Sequence, residues 1–187
     1  MATIGHTARR IGPHTRFTRY RGDGWQIYLD DPGLGLWAML LIAAELRAAR
    51  GLESRIALGL GSAYGGSDDS LTSAGGSAFV ASGRALDALQ APQRLTIGVD
   101  REHVDALHAR LVALIDERVA DWSSEQAEAM AYDLAPEQHL VQAEIAARLG
   151  VSRQAVAARL KAAGRAQLTG AHEDFFKLFH RDGARDG

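Results

Sequence analysis

Residues able to do chemistry fall into two groups. The first is in the stretch 142–160, where Ser152-Arg153-Gln154 opens an apolar-periodic segment. Arg suits guanine and Gln suits adenine, each through two hydrogen bonds to a base edge. Ser152, Arg159, Lys161 and Arg165 are placed to hold phosphates, helped by a helix N-terminus. The small side chains Ala157 and Ala158 share that outward face and imply modest base discrimination. The second group is Asp23 and Arg84, charged side chains in a glycine turn and on an expected helix. Each has a plainer role open to it: Asp23 as a turn former, Arg84 as a solvated or ion-paired helix residue. The glycine-rich loop 65–76 has backbone N–H groups of the kind that cradle phosphate. It lacks the G-x-x-x-x-G-K-[ST] pattern, and a plain flexible loop is the simpler reading. The histidines are scattered, and His103 and His108 are five apart, off one helical face, so no metal role is expected of them. With no cysteine, disulfides, zinc knuckles and cysteine catalysis are excluded.

Charge patterning supports the first group. The 187 residues have a formal charge of −2, with 47% hydrophobic and 24% charged residues, as in ordinary globular proteins. That balance argues against both wholesale disorder and a uniformly basic coat. The charge is nevertheless separated. Residues 116–137 hold seven acids and one base, and residues 138–170 hold five bases and one acid. The first 22 residues hold five arginines and no acid. A basic segment beside an acidic one suggests a module with an anionic partner. The longest apolar run, about 11 residues over 34–44, is too short for a membrane span, which needs about 20. No secretory signal is visible, so the expectation is a cytoplasmic protein without a membrane partner.

The elements that must position these residues are legible in outline. Residues 15–21 and 25–29 favour strands, and Gly22-Asp23-Gly24 between them supplies hairpin-turn chemistry. Residues 34–50 carry Leu36, Met39, Leu40, Ala43 and Leu46 at helical spacing. Residues 55–60 read as a buried strand in which Gly59 and Gly61 imply close approach of backbone or ligand. A helix over 79–89 and a strand over 94–99 follow. The order hairpin, helix, strand, helix, strand predicts helices packed on a sheet.

Tyr20-Arg21-Gly22-Asp23-Gly24 resembles the metal-binding hairpin of class III nucleotide cyclases and their ferredoxin-like relatives. Arg55-Ile56-Ala57-Leu58-Gly59-Leu60-Gly61 resembles their following strand. Gly76-Ser77-Ala78-Phe79 running into Ser82-Gly83-Arg84-Ala85-Leu86 resembles their later helix. Over residues 15–100 and 124–170 the chain resembles the SatD-like family, a cyclase-related domain followed by a helix-turn-helix. The resemblance implies two metals held by two carboxylates on adjacent strands, with Asp23 as one ligand. The second carboxylate is missing, since residues 1–22 contain no Asp or Glu. Asp30 and Asp31 lie about 20 Å from the turn at ~3.3 Å per residue. The helix of active cyclases carries an Asn four residues before its Arg; if that Arg is Arg84, the Asn position is Val80. The resemblance thus implies a degenerate, non-catalytic domain that senses a nucleotide or other small ligand, or dimerises. Related folds begin with a strand and a helix. Only about 14 residues precede the hairpin here, so a chain lacking its first βα unit is expected.

Residues 100–123 have apolar positions at Val104, Leu107, Leu111, Leu114, Ile115, Val119 and Trp122, an amphipathic helix with an approximate heptad. It serves as a connector on the sheet or as a dimer seam. Ser123-Ser124 offers an N-cap for a helix to about 134, ended by Pro136. Residues 142–160 then read as helix, turn, helix. Ala146 is small where two helices cross, and Gly150 is the turn residue because Gly takes the left-handed conformation cheaply. Ser152 caps the second helix, and Ile145, Leu149, Val151, Val156 and Leu160 face a common core. This resembles a bacterial regulator helix-turn-helix docking its second helix in the major groove; a hairpin used only for packing or protein contacts is the alternative. Residues 169–180 carry Phe175, Phe176, Leu178 and Phe179 on a short closing helix.

The fold class expected is α+β: a ferredoxin-like, cyclase-like sheet with helices over 1–100, a connecting helix over 101–123 and an all-α helix-turn-helix domain over 124–187. The expected partner is DNA, with a nucleotide as candidate ligand and a homodimer suited to a palindromic site. No cofactor is expected; Mg²⁺ is implied only under the alternative, a metal-dependent nucleotide cyclase or nucleotide-processing enzyme using Asp23 and Arg84. An adaptor working through helix 101–122 and the Phe-rich tail is a third reading.

Overall fold

The computed structural model describes residues 2–12, 15–20, 22–49, 52–66, 71–100, 102–135 and 140–180. Arg21, residues 67–70 of the glycine-rich loop and Pro136 lie outside the described residues, as do the side chains of Tyr20, His103 and Val104. The chain is a mostly helical α+β protein with two small sheets.

The centre of the fold is α2 (Gly35–Ala48). Every residue from Gly35 to Leu46 is buried. The spacing of Leu36, Met39, Leu40, Ala43 and Leu46 predicts one apolar face, but Trp37, Ala38, Leu41, Ile42 and Ala44 are buried too. A helix apolar all round belongs inside a protein. Asp31 caps the short 3-10 turn that leads into it, accepting the Gly33 N–H at 2.8 Å.

The sequence gives no expectation of a helix before the hairpin, yet α1 (Ala2–Ile11) is present. Ile4, Ala8 and Ile11, spaced four and three, are buried, and α1 packs on α2. Buried Glu45 of α2 accepts hydrogen bonds from Thr7 and Arg10 of α1. That pairing explains how a carboxylate is tolerated on a buried helix, because a lone buried charge is very costly.

The strands do not form one sheet. β1 (Arg16–Tyr20) and β2 (Gly24–Tyr28) make an antiparallel hairpin, with Gly22 at φ +72° in its turn. β3 (Ile56–Leu60) and β4 (Leu95–Val99) make a separate parallel pair. α3 (Ser77–Ala88) connects them as a βαβ unit and lies against both. Gly59 and Gly98, partners in the ladder, let it approach. A Cβ on Gly59 would sit 2.1 Å from the Ala78 carbonyl, and one on Gly98 2.4 Å from that of Ala81. The close approach implied by Gly59 is therefore protein backbone.

α4 (Glu102–Ala120) packs on β4. Its buried Asp116 accepts the backbone N–H groups of Arg94 and Leu95, each at 3.0 Å, so one carboxylate pins the start of β4. The heptad divides. Ile115, Val119 and Trp122 are buried, while Leu107 and Leu114 are exposed; Val112, outside the heptad, is buried too. α5 (Ser124–Asp133), α6 (Gln142–Leu149), α7 (Arg153–Ala162) and α8 (Arg165–Phe179) complete the chain. α8 is longer than the expected 169–180 helix because it starts directly after Gly164, at φ +80°. α5 packs on α2, and one apolar core runs from Ile4 to Phe175 across the boundaries expected at 100 and 123.

Candidate nucleic-acid interface

α5, α6 and α7 pack on one another around Ile145, Val156 and Leu160, all fully buried. Leu149 and Val151 pack against the same core. α6 starts where the Val141 N–H meets the Glu144 carboxylate at 2.9 Å. It ends at Gly150, with φ +64° and ψ 32°, and the Val151 N–H donates to the Ala146 carbonyl at 3.1 Å. A left-handed residue is expensive for anything with a Cβ, so Gly150 sets the sharp turn. Ser152 then caps α7 by accepting the Ala155 N–H at 3.1 Å. The turn, the cap and the packed positions agree with the sequence reading.

The outward face of α7 also follows it. Arg153 and Gln154 are exposed in the first turn, Lys161 is exposed in the last, and Ala158 lies between them. Ala157 is only half-exposed, so this middle part of the face is flat. Nothing from it would reach far into a groove.

Two of the residues expected to contact phosphate make ion pairs within the chain. Arg165 donates to the Asp133 carboxylate at 2.7 Å, joining the start of α8 to the end of α5. Half-buried Arg159 lies 3.8 Å from Glu128 of α5. Two acids of the 116–137 segment thus pair with two bases of the 138–170 segment. Arg148 of α6 stands over the Tyr132 ring at 5.9 Å.

The unit is seated by hydrogen bonds from its neighbours. Trp122, between α4 and α5, donates its indole N–H to the Ala163 carbonyl at 2.8 Å. Trp37 of α2 donates to the Leu134 carbonyl at 3.0 Å. Arg47 of α2 reaches the Ala120 carbonyl at 2.6 Å and also donates to that of Trp122. The sequence offers no spacing signal for these long-range contacts.

Asp23 and Arg84 do not meet. Asp23 is exposed in the hairpin turn, and Arg84 is exposed on α3, which covers the other sheet. Neither side chain makes a hydrogen bond or ion pair among the described residues. Described residues of the glycine-rich loop and its base are held by hydrogen bonds. Tyr64 and Gly75 exchange backbone hydrogen bonds at 2.9 Å, and the N–H of buried Leu71 reaches the Thr18 hydroxyl at 2.7 Å. The Ala74, Gly75 and Ala78 N–H groups all donate to carbonyls within the loop and its base. They are not turned outward as a phosphate cradle.

Among the described residues no helix is long and apolar enough to cross a membrane. No family model, no curated protein and no solved structure matches the chain.

Proposed function

We propose that this protein binds duplex DNA through α6 and α7, with α7 entering the major groove, and acts as a transcriptional regulator. The observation that carries the reading is the exposure of Arg153 and Gln154 in the first turn of α7, behind a glycine turn and a serine cap. In helix-turn-helix proteins that turn supplies the contacts to base edges. Arg153 and Gln154 are the base-reading residues, and Lys161 contacts a phosphate. The ion pairs of Arg159 and Arg165 assign these two a structural role first. A symmetric dimer would present two such helices to a palindromic site. The resemblance to the SatD-like family suggests the same division of labour, with the α/β part sensing or dimerising.

The test is fluorescence anisotropy with labelled native genomic DNA fragments over a salt series. Binding should tighten steeply as salt falls. Arg153→Ala and Gln154→Ala should each cost about 1–3 kcal/mol of specific binding, and Lys161→Ala should lower the salt slope by about one. Absence of salt-sensitive binding at low ionic strength would end this reading.

A further inference from the structure

A large cleft opens at the carboxyl ends of β3 and β4, beside the start of α3. Its volume is about 690 Å³, within the range of roughly 300–1,000 Å³ usual for small-molecule sites. In open α/β units, ligands bind outside the carboxyl ends of parallel strands. A second cleft, between α2 and α4, is only about 40 Å³. The walls of the large cleft are apolar, with Leu178 and Phe179 of α8 forming one side, and Ser62, Ser77, Asp100 and His108 supplying polar atoms. Asp100 is the only carboxylate or basic Lys/Arg side chain on its walls among the described residues.

Three backbone donors that could receive an anion here, the Ser62, Ala78 and Val80 N–H groups, are already engaged. The Ala78 N–H donates to the Ser62 carbonyl at 3.1 Å, and the Val80 N–H to Gly76 at 3.3 Å. The Ser62 N–H donates to the Ser77 hydroxyl at 2.9 Å, and the two hydroxyls are 3.1 Å apart. The first turn of α3 is closed onto the end of β3. A phosphate would meet the Asp100 carboxylate and find these three backbone donors occupied. A cation would meet a carboxylate, two hydroxyl acceptors and the exposed ring of Phe179, whose face attracts positive charge.

We propose that this cleft is a binding site for an organic amine with an apolar or aromatic body. Its ammonium group sits at Asp100 and its hydrophobic part lies against Leu178 and Phe179. The site is independent of the DNA-binding reading.

The probes are tryptamine and 4-phenylbutylamine, with indole-3-propionate as the acidic counterpart of tryptamine and ATP as the phosphate-bearing control. Isothermal titration calorimetry on the full chain should give saturable binding for at least one amine. Indole-3-propionate and ATP should bind at least tenfold more weakly. Asp100→Asn should weaken the amine at least tenfold, while Arg153→Ala, on a different face, should leave it unchanged. The only described Asp100 hydrogen bond is from its backbone, N–H to the Leu60 carbonyl at 3.2 Å, so Asn should preserve the fold. If that variant unfolds, Phe179→Leu is the second test, expected to weaken the amine severalfold by removing the ring. The proposal is overturned if neither amine saturates, if indole-3-propionate or ATP binds as tightly, or if the folded variants bind the amine like the parent chain.

Discussion

Gly150 and His172 are single positions where conformation or burial sets a measurable quantity. Gly150 has positive φ and nothing within 4 Å of where a Cβ would stand, so only its backbone angle resists substitution. Gly150→Ala should therefore cost about 1–2 kcal/mol, the penalty of a left-handed L-residue. Gly170, inside α8, has equally open surroundings and helical backbone. Gly170→Ala should instead stabilise by about 0.5–1 kcal/mol. Urea denaturation of the two variants distinguishes conformation from packing, since they should move in opposite directions. His172 faces a different constraint. Its Nδ1 is buried without a hydrogen-bond partner, and burial pushes its pKa below the ordinary 6.5, with Glu173 pulling partly the other way. The unfolded chain then binds the proton more readily than the folded one. Stability is fully present above about pH 6.5 and falls as the pH drops from there toward the lowered folded value. His172→Phe should flatten this part of the stability profile between about pH 7.5 and 5.5. An unchanged slope in that window would show that His172 is not its source.

Elements are held to one another by a few buried polar groups whose partners are far away in the chain. Asp116 is the clearest case, since one carboxylate of α4 satisfies two backbone N–H groups at the head of β4. Leaving a buried donor unpaired costs roughly 1–3 kcal/mol. Asp116→Ala should therefore lose about 2–5 kcal/mol, and Asp116→Asn, which keeps one acceptor, should fall in between. Chemical denaturation measures both, and an Ala variant within about 0.5 kcal/mol of the parent chain would refute the account. Nothing in the local sequence marks Asp116 out from the other acids around it, because its role is fixed by where β4 lands. Local signals were more informative elsewhere. Ser123 makes the capping box with Gln126 at the start of α5, and Gly150 and Ser152 shape the α6–α7 corner, each within three residues. The hairpin turn and α3 also stand near their expected places. What periodicity could not supply was pairing. The hairpin and the β3–β4 ladder read alike as strands, but only long-range contacts decide whether they share a sheet. The short α1, with Ile4, Ala8 and Ile11, needs the surface of α2 to be stable, as most helices of this length do. The candidate interface was legible because its geometry is local, whereas the ion pairs removing Arg159 and Arg165 from its free charge are not.

The whole molecule is organised around α2, which joins the α/β part to the helical part. α5 has α2 on one side and α6 and α7 on the other, and Ala127, Ala129 and Met130 are fully buried between them. Trp37 and Arg47 of α2 hydrogen-bond backbone carbonyls at both ends of α5. Cutting the chain at the expected boundary near residue 123 would expose that apolar face and strip the Leu134 and Ala163 carbonyls of their Trp37 and Trp122 donors. A fragment of residues 124–187 should consequently lose fixed tertiary packing even if its helices survive. The full chain should unfold in one step, with far-ultraviolet circular dichroism and tryptophan fluorescence changing together. Trp25, Trp37 and Trp122 sit in the hairpin, the central helix and the α4–α5 junction, so their joint fluorescence samples both parts. A fragment that melts cooperatively by itself, or two separated transitions in the full chain, would show instead that the helical unit is autonomous. Under the single-unit outcome, a change in the α/β part that shifts α2 also shifts the seat of α5. The first turn of α7 then has a mechanical connection to the α/β part, which an autonomous helical domain would lack.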